Sequence, residues 1–311
     1  MSKPCLIIVF NHRYDKNIPV LRKIYSARFS NIFFLVPFYN GNDPDVIPVY
    51  ESSHFFQSYF AQGYHRFFRE EFSHYIFTGD DCILNPSINE NNFMEQTGLP
   101  GGSDFITEIF ELHNKKHEGW WHTKKAIDFF NNRKGAEVQR ELPSKEEALQ
   151  RFKKHGVNIE PLTPLNIFGT KNISPLNRWK SWLYKQFYLR VVWKPYRKSG
   201  KIELPYPVAG SYSDMFIISK ESISDFCRYC GILASVGLFV EIATPTALMF
   251  SSKKIVQEKD MRLKGKALWS ATEVEAVEKT FNRSLTSLLS GFPPDQLYYH
   301  PIKLSKWNND L

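Results

Sequence analysis

The chain opens on an unbroken apolar run, Cys5 to Phe10, the pattern of a strand buried on both faces. A polar stretch follows, Asn11 to Tyr14. Ile18, Leu21, Ile24 and Tyr25 then recur at helical spacing, with Asp15 or Asn17 available as the cap. A second apolar run, Asn31 to Pro37, completes a strand–helix–strand unit. That order predicts a parallel sheet with a right-handed crossover. Val46 to Tyr50 reads as a short strand. Phe55 to Phe72 reads as a helix whose aromatics, among them Tyr59 and Phe67, pack on the sheet. Tyr75 to Phe77 is a further buried strand. It stops at Thr78-Gly79, where two adjacent carboxylates follow, Asp80 and Asp81, before Cys82 to Leu84 turns apolar again.

The pattern weakens between Ser87 and Pro205. Gly101 to Asp104 reads as a loop, Ser144 to His155 as an exposed helix with Ser144 and Glu147 spaced as a capping box, and Pro161 to Pro175 as loop. Trp120-Trp121-His122 beside Gly119 is either a sugar-stacking platform or a pair of core aromatics at a turn. Regular patterning returns with a strand from Tyr212 to Ile218 that includes Asp214, then a helix from Ser222 to Cys230. Gly237 to Leu248 is an apolar segment carrying one acid, Glu241. Thr272 to Leu289 reads as one helix.

With 311 residues and 42% apolar content, the chain can bury a sizeable α/β core. Its formal charge of +8 predicts attraction to anions such as nucleotides or phospholipid headgroups. The four cysteines, Cys5, Cys82, Cys227 and Cys230, are scattered rather than framed for disulfides, and Cys227 and Cys230 read as structural thiols. No apolar run reaches the length of a membrane span, and the N-terminus lacks the pattern of a signal peptide. A cytoplasmic location is therefore expected. Arg178 to Lys201 interleaves basic residues with Trp179, Trp182, Phe187 and Trp193. This suits either a helix lying on an anionic membrane surface, making the protein peripheral to the inner face, or a core-facing helix with a solvated basic face. No nucleic-acid partner is expected, because no nucleic-acid-binding motif is present.

The chemistry is concentrated at the end of the strand before Asp80. Two carboxylates there repel each other and lose hydration unless something cationic sits between them. A divalent metal carrying a diphosphate would serve. The alternative is a strand-end turn with solvated acids. Ligands of parallel sheets bind beyond the carboxyl ends of strands, where both Asn11 to Tyr14 and Asp80-Asp81 fall. Glu241 is costly to bury without a partner or a task, which suits a general base or a salt-bridged structural acid.

Three features in order, strand-end Asp80-Asp81, Glu241 in its apolar segment, and a late His300-Pro-Ile-Lys303, resemble the GT-A-fold glycosyltransferases. The opening, Ile7 to Tyr14 with Asn17-Ile-Pro and Asn31-Ile-Phe-Phe, is similar to the branch that includes the plant STELLO proteins. The resemblance implies a Rossmann-like α/β fold with a mixed, mainly parallel sheet flanked by helices and a central insertion. Residues 1–110 would be the nucleotide-sugar half, 111–204 a variable insertion, and 205–311 the acceptor-side half with a C-terminal metal and diphosphate segment. It further implies that Gly79-Asp80-Asp81 stands where the family has its DXD motif, with Gly79 replacing the first acid. Asp81 and His300 would hold Mn2+ or Mg2+, Asp80 would contact ribose or metal, and Lys303 would face the diphosphate. Asn11, His12, Arg13 and Tyr14 would hold base and ribose, and Glu241 would be the base of an inverting transfer. The implied donor is a nucleotide-diphosphate sugar, a UDP-sugar foremost. The transferred group is a hexosyl or N-acetylhexosaminyl unit. The acceptor is a glycan or lipid-linked glycan of cell-surface polysaccharide synthesis. A sugar nucleotidyltransferase would instead place a glycine-rich loop after the first strand, where Asn11 to Tyr14 has no glycine. A non-enzymatic protein binding membranes or anionic polymers would explain the charge but not the acids.

Overall fold

The computed structural model describes residues 3–114, 126, 137–163, 166 and 199–311. The Trp120–His122 cluster lies outside them, as do most of Pro161 to Pro175 and Arg178 to Lys201 except its last three positions. The chain forms two compact units. The first comprises Met1–Glu108, Tyr212–Gly231 and Ser251–Leu311; the second comprises Ile109–Ser211 and Ile232–Phe250.

Each continuous apolar run of the first unit becomes a strand because every one of its side chains finds cover. β1 (Cys5–Val9) is buried at all five positions. It pairs in parallel with β2 (Ile32–Pro37) on one side and β4 (His74–Gly79) on the other. β3 (Val46–Val49) extends the parallel half beyond β2. The crossovers carry α1 (Asn17–Tyr25) and α2 (Gln57–Phe67), whose apolar sides are buried. β7 (Met215–Ser219) then runs antiparallel to β4, followed by β6 (Asp104–Ile106) and β8 (Ile255–Gln257). The order is β3-β2-β1-β4-β7-β6-β8, a mixed, mostly parallel seven-stranded sheet flanked by helices, as the sequence predicts. Phe77 of β4 and Phe216 of β7 stack at 4.8 Å, and Phe60 of α2 lies 4.9 Å from Phe77, locking helix to sheet across the parallel–antiparallel junction.

A second, three-stranded sheet forms from β5 (Ile83–Leu84), β9 (Lys264–Ala267) and β10 (Gln296–His300), in the order β5-β10-β9. Its central strand pairs antiparallel with β5 just after Asp80-Asp81. The late part of the chain is thereby returned to the end of β4.

In the second unit, Lys145–Lys154 is an exposed helix closed by the expected Ser144–Glu147 capping box. Val240–Ser251 is a helix containing Pro245, with Glu241 half-buried in its first turn.

Three local readings are corrected. Asp104 opens β6 rather than closing a loop. Its fully buried carboxylate accepts the Ser219 N–H at 2.6 Å and the Ser222 hydroxyl at 2.7 Å. Asp214 lies immediately before β7, not within a strand. The long helix expected from Thr272 to Leu289 is two, Ala271–Thr280 and Leu285–Ser290. Asn282 and Arg283 adopt positive φ between them, which no helix tolerates, and Ser284 caps the second. All four cysteines are free and buried. Among the described residues no helix is long and apolar enough to cross a membrane.

Candidate functional site

The strand order reverses at β1: the chain proceeds from it to β2 and β3 on one side, then returns to β4 on the other. Loops leaving β1 and β4 therefore diverge and leave a crevice at their carboxyl ends. A cavity of about 350 Å³ occupies that place. Asn11, His12 and Tyr14 line it from the loop after β1, and Asn17 from the start of α1. Asp80 and Asp81 line it from the end of β4, and Lys303, Leu304 and Ser305 from the segment after β10. Its size lies at the lower end of small-molecule sites.

The acids are held by backbone on both sides. Asp80 N–H donates to Val9 O at 3.0 Å, continuing the β1 ladder, and Gly79 N–H donates to Asp214 O at 3.1 Å, continuing the β7 ladder. Cys82 N–H closes the turn onto Gly79 O. At Gly79 any larger residue would require the Asp81 carboxylate to give by a few tenths of an ångström. A Cβ at that position would lie 3.1 Å from Asp81 Oδ1, tighter than an ordinary contact.

Asp80 and Asp81 meet different surroundings. Asp80 is buried and accepts a 2.9 Å hydrogen bond from Asn17 Nδ2. Burial, and behind it the Asp81 charge, push Asp80 from an ordinary 3.8 up to about 7, against the opposing Asn17 contact. Asp81 Oδ1 lies 3.2 Å from His300 Nε2, and Asp214 Oδ2 lies 3.2 Å from His300 Nδ1. Burial alone would pull the imidazole down, but the contacts with Asp214 and Asp81 outweigh it and lift His300 to about 10. Ile302 N–H donates to Asp81 O at 2.7 Å, fixing the segment after β10 against the end of β4.

Two adjacent acids at a buried strand end need a cation between them. In the chain by itself the His300 imidazolium meets that need, between Asp81 and Asp214. A divalent ion fits the same atoms. Two neighbouring ligands of an octahedral ion with bonds near 2.1 Å stand about 3 Å apart, close to the observed Asp81–His300 separation. Asp214 then holds the far ring nitrogen, as outer carboxylates of metal-binding histidines do. Among the described residues, no group donates a well-aligned hydrogen bond to the buried Asp81 Oδ1. Nor do three or more His, Cys, Asp or Glu side chains form a cage that could enclose a metal. An ion held here would take only Asp81 and His300 from the described residues, and its other ligands from water or phosphate oxygens.

No known family profile matches the chain, and no curated protein matches it. Functional assignment therefore rests on the site itself. Of the residues singled out from sequence, Asn11, His12, Tyr14, Asp80, Asp81 and Lys303 line one cavity, and His300 touches Asp81. Arg13 does not line it; its guanidinium pairs with Asp15 at 3.0 Å and with Asn40 at 2.5 Å. Glu241 belongs to the second unit. Asn17 and Asp214 escaped sequence reasoning. Asn17 was a candidate helix cap, but Lys16 occupies that place and the Asn17 amide turns to Asp80. Asp214 follows from register: Thr78 faces Met215 in the antiparallel β4–β7 pair, so the residue before β7 sits beside Gly79.

The shifts at this site carry a stability signature. The unfolded chain releases the Asp80 proton near pH 4, while the folded protein holds it to about 7. Ionisation therefore opposes folding, and stability falls as pH rises from about 4 to about 7. The ceiling on this loss is about 4 kcal/mol. His300 acts on the alkaline side, where its contribution is full below 6.5 and lost as pH climbs toward about 10. Asp80→Asn, which keeps an acceptor for Asn17, should melt higher than the parent in chelator-treated buffer at pH 8 and lose that advantage at pH 4. Parallel melting curves across this range would exclude the burial effect.

Proposed function

We propose that the protein is a glycosyltransferase of the GT-A type, moving a sugar from a nucleotide-diphosphate sugar, foremost a UDP-sugar, to a glycan or lipid-linked glycan. The observation that carries this reading is that Asp81, which lines a cavity at the sheet's switch point, meets His300, itself held by Asp214. Such a crevice takes nucleotides in open α/β sheets, and the mixed sheet supports the fold resemblance.

In this reading Asn11, His12 and Tyr14 receive base and ribose. Asp80, oriented by Asn17, contacts the ribose or the ion, and Asp81 with His300 Nε2 offers the ion two ligands. Asp214 keeps the imidazole turned toward Asp81. The Lys303 ammonium faces the diphosphate and stabilises the charge it acquires on leaving. A bound divalent ion would supply further electrophilic stabilisation of that leaving group. Glu241, in the second unit, is proposed as the base that takes the acceptor hydroxyl proton, giving inversion at the anomeric carbon.

Isothermal titration with UDP, GDP and CMP, each with and without manganese, tests the donor. Metal-dependent binding of UDP is expected, binding of another nucleotide would change the donor, and no binding at all would remove the transferase reading. NMR of the product anomer tests the role of Glu241, with retention of configuration ruling out a single displacement.

A further inference from the structure

Trp269 is the most exposed large apolar side chain among the described residues, at 66%. Trp269 alone would be ordinary, since singly exposed apolar side chains are common; contiguous apolar surface is what marks a contact site. The Trp269 ring lies 4.6 Å from that of Tyr212, tilted by 59°, so the half-buried Tyr212 ring braces the exposed indole. The backbone beneath it is held firmly. Trp269 N–H donates to Glu273 Oε2 at 2.9 Å, and Ser270 and Glu273 close a capping box on the helix that follows. A large apolar ring on a fixed backbone loses little freedom when a ligand settles on it.

The location gives the surface its meaning. Trp269 follows β9, and the residue before it, Leu268, donates its N–H to His300 O at 2.7 Å. Tyr212 stands two residues before Asp214, whose carboxylate meets His300 Nδ1. The two rings therefore hang from the two chain segments that hold His300 in place. Another exposed aromatic pair, Phe38 and Tyr50, follows β2 and β3, on the far side of β1. The loop read as holding the nucleoside leaves β1, whereas Trp269 follows β9, the strand paired with the one that ends in His300.

We propose that Trp269, braced by Tyr212, forms a stacking platform for the pyranose ring of the glycan acceptor. The acceptor assignment rests on the transferase reading above; binding of a sugar ring at this surface does not. The apolar C–H face of a pyranose suits an aromatic plane, while its hydroxyls stay hydrated or meet polar groups at the rim.

The test uses the full chain labelled with 5-fluorotryptophan. The 19F resonance of Trp269 is identified as the one of seven missing from Trp269→Phe. Methyl glycosides of glucose, galactose and N-acetylglucosamine, and their β-linked disaccharides, are titrated in the presence of UDP and manganese. A saturable shift of that resonance is expected with at least one sugar. Saturation transfer to that sugar's ring protons should fall at least about tenfold in Trp269→Ala and be largely retained in Trp269→Phe. UDP binding with no Trp269 shift for any sugar would overturn the platform and leave the transferase reading intact. A Trp269 shift without nucleotide binding would keep the sugar site and remove the transferase reading.

Discussion

Asp81→Asn should abolish metal-dependent UDP binding and lower sugar transfer by about 100- to 1000-fold, the usual cost of losing one group that stabilises a developing charge. The substitution preserves side-chain size. It also preserves the backbone contact through which Ile302 N–H meets the carbonyl of residue 81, so the site should keep its shape. What changes is the charge on the oxygen nearest His300 Nε2. His300 retains Asp214, and the melting temperature should therefore move far less than the affinity. Titration calorimetry with UDP and manganese, read beside thermal melting, separates the two effects. Parental nucleotide affinity in a folded Asp81→Asn protein would move the binding site elsewhere on the molecule.

The largest effect on stability is expected at a different acid. Asp104→Ala removes the acceptor of the Ser219 N–H and of the Ser222 hydroxyl, both fully enclosed. Each donor left without a partner in the interior costs about 1–3 kcal/mol. The sum, about 2–6 kcal/mol, corresponds to a fall in Tm of roughly 4 °C at the least and several times that at the upper end. Asp104→Asn keeps an acceptor oxygen and should recover part of the loss. Melting curves for the two variants decide the matter, and a parental Tm for Asp104→Ala would show the two bonds to be dispensable. Asp104 and Asp81 are thus opposite cases: one carboxylate closes a gap between strands and helix, the other opens onto a cavity.

That contrast also shows how far the sequence could be read. The parallel half of the sheet was legible because strands covered on both faces are written as continuous apolar runs, as in Leu6 to Val9 and Tyr75 to Phe77. Asp80-Asp81 stood out because two charges at the end of such a run need compensation. The missing information was tertiary. Nothing in the local pattern says that β7 pairs antiparallel with β4, and so nothing singled out Asp214. Asp104 looked like a loop acid because Gly101 and Gly102 precede it, while the donors that hold it come from positions 219 and 222. Asn17 suited a helix cap by residue type, but proximity to Asp80 determined which group its amide meets. His300 was found through a resemblance rather than through spacing, since more than two hundred positions separate it from Asp81.

The same separation has a meaning for synthesis. The middle strand of the small sheet delivers His300 to a carboxylate made roughly 220 residues earlier, so at about 5–20 residues per second the acids leave the ribosome roughly 10 to 40 s ahead of their imidazole. Over that interval β1 to β4 can assemble, but the acid pair at their rim lacks its counter-charge and the cleft lacks the wall that carries Lys303. Capture of a ligand at this cleft would therefore await synthesis of the segment that carries His300 and Lys303. Binding of nucleotide would report the arrival of that segment, not the earlier collapse of the first strands.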